Sequence, residues 1–400
     1  MASSSLHITS LRSERRNGTE RVSAKVGSHR LWFESDGFEL SDRPEVFLTA
    51  FFIPALHTGT PLFIDEAVRP AWIEQTKRLL PIYNRWWNYS PHHPLHQSNP
   101  RSQPGDGRPE RPDSSFAHRT AQCFTGGIDS FYSLLCGTHD ASHLLYVHGF
   151  DIPIDDHERL SAFKPSLHAA ADATGATPIT VRTNMREHPF FDCVSWERTH
   201  GAGLAAAGMV LANHIDALVI PSSYAYEDAT PWGSHWDTDP LWTAPDHLRI
   251  IHDDATLNRR DKILELAREP LVQRHLRVCW RNLSATGNCS RCEKCLRTMA
   301  TLEVGGHLPD YHRVFDVDTP LSEHLDALPS LPRHLTFIWR DLATREVSPA
   351  TRAAIRRLLR RSNRALVKKI VRRGPSYVVS KLRDVWQSIR RGLFGAPDKS

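Results

Sequence analysis

Cys123-Phe124-Thr125-Gly126-Gly127-Ile128-Asp129-Ser130 joins a short apolar segment to a helical one. Two adjacent glycines let the backbone approach a ligand closely and adopt positive φ. The N–H groups of Gly127 to Ser130 would face outward at the start of a helix, where anions are stabilised. Thr125 and Ser130 add hydroxyls, so the stretch suits a polyphosphate. It reads equally well as a plain glycine turn with Asp129 or Ser130 as N-cap.

Outward from this loop the pattern alternates. Ala121–Phe124, Leu144–Phe150, Pro178–Val181 and Ala217–Pro221 read as strands. Asp129–Cys136, His157–Thr174 (ended by Gly175) and the Ala/Gly-rich Val194–Ala212 read as helices. Strands separated by helices predict an α/β fold, a parallel sheet with helices on both faces.

Thr-Gly-Gly-Ile-Asp-Ser resembles the Ser-Gly-Gly-x-Asp-Ser signature of the PP-loop ATP pyrophosphatases, with Thr125 keeping the first hydroxyl. The resemblance implies an adenine nucleotide alpha hydrolase-like fold and cleavage of ATP between its α and β phosphates, with AMP passed to a carbonyl or carboxyl oxygen. It assigns Thr125, Gly126, Gly127, Ile128, Asp129 and Ser130 to ATP and Mg²⁺. It also places His148 and Gly149, after the second strand, beside the nucleotide. His148 alone could simply fill a loop. No Gly-x4-Gly-Lys-Ser/Thr motif is present, which turns the reading away from ordinary kinases and GTPases.

Cys279-x9-Cys289-x2-Cys292-x2-Cys295 is the second signal. Four thiolates can close a tetrahedral shell around zinc, and four-cysteine shells also hold iron–sulfur clusters. Seven cysteines, four of them clustered, argue for a metal site and against a disulfide framework. A phosphate loop followed by this cluster is similar to the 7-cyano-7-deazaguanine synthases, whose cysteines hold zinc. The similarity spans about residues 116–305.

Between the motifs, residues 221–242 are dense in functional side chains and poor in periodicity, as functional loops are. Ser223, Tyr224, Trp232, Ser234, His235 and Trp236 are the candidate substrate residues; the tryptophans could instead be hydrophobic plugs. Arg260 and Lys262 are candidates to neutralise departing pyrophosphate, as basic residues do in PP-loop ligases. They also read as a solvated helix start.

The flanks read differently. Residues 1–20, rich in Ser and Arg, predict disorder, and 21–87 a small α+β domain with a helix over Pro70–Trp87 kinked by Pro81. Residues 88–115 carry six prolines and read as a linker containing His92, His93 and His96. Residues 306–350 form a C-terminal extension. Residues 351–400 carry 15 Lys/Arg against 2 Asp/Glu, while the whole chain is only +5. Two basic amphipathic helices there suit an anionic membrane surface, packing on the body, or a partner protein, including a second copy in a homodimer. Nucleic acid is less well matched. No 18-residue apolar run and no signal segment is visible, so a cytoplasmic, at most peripheral, location is expected.

Together these features predict an ATP-dependent, AMP-forming ligase acting on a small carboxyl or amide substrate. Asp129, Ser130, Arg260 and Lys262 would be catalytic, with ATP, Mg²⁺ and Zn²⁺ as cofactors and nitrogen as the nucleophile. Two alternatives stand: sulfur transfer to a tRNA base or small molecule, through Cys123 or Cys193, and a non-catalytic zinc-stabilised nucleotide-binding protein.

Overall fold

Cys123 ends the strand from which the sheet is laid out. The computed structural model describes residues 5–96, 119–228, 230–244, 248–253, 255–284 and 287–368. The strands are β1 (Leu6–Arg16), β2 (Thr19–Val26), β3 (His29–Asp36), β4 (Leu62–Ile64), β5 (Leu95–His96), β6 (Thr120–Cys123), β7 (His143–His148), β8 (Thr177–Thr183), β9 (Ala217–Ile220) and β10 (Arg249–His252). They form one ten-stranded sheet in the order β10-β9-β6-β7-β8-β3-β2-β1-β4-β5. The five from β6 to β10 are mutually parallel. The fold is therefore α/β with a mostly parallel sheet. β6 pairs with β7 on one side and β9 on the other, so the chain reverses its direction of travel there. Open α/β sheets bind ligands beyond the strand ends at such a switch point.

The N-terminal strands lengthen this sheet. β3 pairs antiparallel with β8, Phe33 opposite Thr183. Arg182 Nε donates to Glu34 Oε1 at 2.8 Å, and Ser35 Oγ to Thr180 O at 2.9 Å. Residues 21–87 thus share a sheet with the strands around the glycine loop. The disordered start expected for 1–20 is corrected over its described part: Leu6–Arg16 is a strand. Asn17 (φ 51°) and Gly18 (φ 81°) turn it back into β2, the two-residue hairpin geometry Asn-Gly favours. Leu6 and Ile8 are buried on its core side.

The helix Pro44–Thr58 is apolar nearly all round and ends at Gly59 in the left-handed conformation. It lies against Trp196–Val210, whose Gly201, Ala202, Gly203, Ala205, Ala206, Ala207 and Gly208 are all buried. The helix expected over Pro70–Trp87 is two, Pro70–Lys77 and Leu79–Trp87. The Pro81 ring is incompatible with a continuous turn over the Lys77 carbonyl. Of the expected linker, residues 97–115 lie outside the described residues. Its His93 belongs to the packing, its ring edge-on to Phe52 at 5.3 Å.

The chain divides into two units, 1–288 and 289–400. In the second, the helices Glu293–Val304, Leu321–Ala327, Thr336–Leu342 and 349–368 bury Leu296, Met299, Leu325, Trp339, Ile355 and Leu358. The described part of the first basic helix thus has Ile355 and Leu358 of its apolar face buried, with Leu359 and Leu366 half-buried. The second basic helix lies outside the described residues. No described helix is long and apolar enough to cross a membrane.

Candidate active site

The glycine loop sits at the carboxyl end of β6, and its first glycine has a steric reason. Gly126 has φ 70°, and a Cβ there would stand 3.2 Å from the Phe163 ring. Its carbonyl accepts the Arg277 N–H at 2.7 Å. Gly127, extended, caps the helix Ile128–Cys136. Ser130 Oγ donates to Gly127 O at 2.9 Å, and Gln122 Nε2 to Ser130 O at 2.9 Å, which holds the first turn to the strand. Thr125 is half-buried at the loop crest.

Asp129, in the first turn, receives the Arg259 guanidinium on both oxygens, Nε standing 3.2 Å from Oδ1. Sequence reasoning had passed over Arg259 in favour of its neighbours. Arg260 Nε instead donates to the adjoining Asp261 at 2.9 Å. Lys262 is buried, its Nζ donating to Ser222 O at 2.8 Å and lying 5.1 Å from the Tyr132 ring. It ties the exit of β9 to the helix Arg259–Leu266.

Beyond β7, Gly149 has φ 105°, and a Cβ there would lie 2.0 Å from the Thr183 carbonyl oxygen, so no side chain fits. His148 is buried, Nε2 on the Pro153 carbonyl at 2.9 Å. Burial pushes its pKa down, leaving a neutral ring whose role here is packing. Arg277 and Asn282, also not anticipated, stitch the strand ends together. Arg277 Nη2 donates to Asn282 Oδ1 at 3.0 Å, and Asn282 Nδ2 to Asp151 O at 2.9 Å.

The loop after β9 centres on a residue the sequence reading left out. Asp239 is fully buried. Its Oδ2 accepts from Ser234 Oγ at 2.6 Å and His252 Nδ1 at 2.8 Å, its Oδ1 from the His235 N–H at 3.2 Å. Three donors are what a carboxylate needs away from water. Ser234 and His235 are therefore brought together, as braces of Asp239. His235 lies between Trp236 (centroids 3.8 Å) and Trp86 (4.8 Å), and burial lowers its pKa. Trp232 meets Tyr224 at 5.4 Å and His200 at 5.7 Å. Ser223 and Tyr224 are half-buried at the mouth of β9. The signal for Asp239 was weak: one acid among several, with its partner 13 residues on.

The four clustered cysteines are buried and unoxidised, their sulfurs within 4.8 Å of one another. Cys289 and Cys295 sulfurs are 3.9 Å apart, Cys292 and Cys295 3.4 Å. A tetrahedral ion with Zn–S bonds of about 2.3 Å requires about 3.8 Å between sulfurs, so the group fits one zinc ion. An iron–sulfur core would spread the ligands further. Cys292 N–H donates to Cys289 Sγ at 3.2 Å. Asn288 Oδ1 accepts from the amides of Val278 and Cys279. It is the one group of three or more metal-ligating side chains among the described residues.

Comparison with family models, with curated proteins and with solved structures returns no match to this chain.

Proposed function

We propose that the chain is an ATP-dependent, AMP-forming enzyme of the PP-loop class, with β10-β9-β6-β7-β8 as an adenine nucleotide alpha hydrolase-like sheet. The observation that carries this reading is the Thr125–Ser130 loop at a helix N-terminus on the switch-point strand, with Arg259 on its Asp129. The helix amides would receive the β and γ phosphates. A substrate carboxylate oxygen attacks the α phosphorus; the O–P bond forms, the bond to the β phosphate breaks, and pyrophosphate leaves. Arg259 is placed to pass from Asp129 to the departing charge. Asp129, once released, would hold Mg²⁺, which when bound would neutralise phosphate charge. A nitrogen nucleophile then displaces AMP. Zinc on Cys279, Cys289, Cys292 and Cys295 would hold its loop rigid and take no part in the chemistry.

Sulfur transfer is the weaker reading. Burial, and then the Asp239 charge, push the Cys123 thiol well up, which disfavours the thiolate. The test is to incubate the purified chain with Mg-ATP and a panel of small carboxylates. AMP and pyrophosphate are expected. ADP and phosphate as the products, or no consumption with any carboxylate, contradict the reading.

A further inference from the structure

We propose that His252 is the general base that takes the proton from the attacking nitrogen, with Asp239 and Ser234 as its positioning residues. This rests on the AMP-forming reading above and assigns the second half-reaction to named atoms.

His252 ends β10, on the sheet edge where β6 presents the glycine loop. Its side chain is 3% exposed. An ionised carboxylate only accepts hydrogen bonds, so the Nδ1–Asp239 contact of 2.8 Å fixes the proton on Nδ1. In the neutral ring that a base requires, Nε2 would carry the lone pair, and it has no hydrogen-bond partner among the described residues. Asp239 is itself held by Ser234 Oγ and the His235 amide, so the imidazole cannot turn without breaking a buried network. His235 is not built this way: its Nδ1 already accepts the Asp237 N–H at 3.0 Å. The other titratable groups around the carboxylate are His200, Tyr83 and Cys123.

β9 alone separates β10 from β6. Two strand spacings are about 10 Å, so the end of β10 and the glycine loop lie on the same stretch of the sheet's carboxyl edge. In the step, the amine lone pair forms the C–N bond at the acyl carbon. The C–O bond to AMP breaks and its electron pair leaves with AMP. The N–H proton goes to Nε2 of His252. No oxidant or reductant is needed.

The test separates the half-reactions, using the carboxylate that gives AMP in the screen above. ATP–pyrophosphate exchange reads adenylation. AMP release with ammonium chloride or with hydroxylamine reads nucleophile attack. Hydroxylamine is uncharged and strongly nucleophilic at neutral pH, so it needs the base least. His252→Gln and His252→Ala should keep exchange within a few-fold. They should lose roughly 100-fold in the ammonium-dependent rate, the scale of general-base catalysis, and much less with hydroxylamine. Added imidazole should restore part of the His252→Ala rate, which a purely structural histidine would not predict together with intact exchange. Asp239→Asn should give the same pattern in weaker form. Full ammonium-dependent activity in His252→Gln overturns the proposal while leaving the AMP-forming reading intact. Loss of exchange in His252→Gln with a normal urea midpoint also overturns it, since the residue would then serve adenylation. A wild-type chain without exchange removes the AMP-forming reading and this proposal with it.

Discussion

Gly201→Ala is the substitution whose effect the packing predicts against ordinary helix propensity. Gly201 lies in the interior of Trp196–Val210, where alanine is favoured over glycine by about 1 kcal/mol. A Cβ at this position would stand 2.1 Å from the Gly233 carbonyl oxygen and 3.0 Å from Asp239 Oδ1. Backbone cannot rotate aside as a side-chain end can, so the 231–239 loop must retreat by about 1 Å. That movement strains the Gly233 N–H bond to Glu197 O, 2.8 Å long, worth about 1 kcal/mol. It also loosens the donors around buried Asp239, whose loss costs about 3–5 kcal/mol for a fully unpaired charge. Set against the propensity gain, a net loss of about 2–4 kcal/mol is expected. Gly203→Ala is the comparison, because its nearest atoms are the ring ends of Trp196 (3.0 Å) and Phe150 (3.3 Å). It should stay within about 1 kcal/mol of wild type. Urea titrations followed by tryptophan fluorescence give both values. A Gly201→Ala midpoint equal to or above wild type would refute the reasoning.

Four further outcomes follow from named contacts. Cys→Ser at any of positions 279, 289, 292 or 295 should reduce zinc from about one ion per chain to near none and lower thermal stability; unchanged metal content by elemental analysis would count against the cluster. Asp129→Ala should abolish ATP consumption while shifting stability by less than about 1 kcal/mol, since its pair with Arg259 is partly solvent-exposed; wild-type AMP formation by the folded variant contradicts the assignment. Deleting 351–400 should destabilise the second unit, because Ile355 and Leu358 are fully buried and each is worth about 1.5–3 kcal/mol, whereas deleting 369–400 leaves them in place; equal stability of the two truncations by urea titration would refute this. Burial, then the Lys77 charge, hold the His93 pKa down at about 4, and Nδ1 accepts the Leu95 N–H, which protonation forbids. The unfolded chain therefore binds the proton first, and this contribution, present above about pH 6.5, is lost as pH falls toward 4. Screening by its solvent contact leaves about 1–2 kcal/mol, so His93→Phe should flatten that part of the stability–pH curve; an unchanged slope contradicts it.

Local chemistry was legible and non-local pairing was not. The strand–glycine–helix sequence at 120–136 and the helix stop at Gly175 could be read from residue types, because each is set within a few positions. The hairpin at Asn17-Gly18 carried an equally local signal, hidden by the charged, solvent-facing half of β1. The union of β3 with β8 had no such signal. It joins residues about 150 apart through edge pairing and the Arg182 bonds to Glu34 and Asp36. The candidate site divides the same way. The loop glycines and the cysteine spacing stood out, but Arg259 was indistinguishable from Arg260 until Asp129, 130 residues earlier, was seen against it. Asp239 and His252 likewise became partners only through the fold.

Calorimetric titration of the full chain with Mg²⁺ and α,β-methylene-ATP, which cannot be split between its α and β phosphates, tests the glycine loop most directly. Saturable one-site binding, competed by pyrophosphate and lost in Asp129→Ala, is the predicted result. Absence of binding, or binding that Asp129→Ala leaves unchanged, would contradict the assignment of Thr125–Ser130 as a nucleotide site.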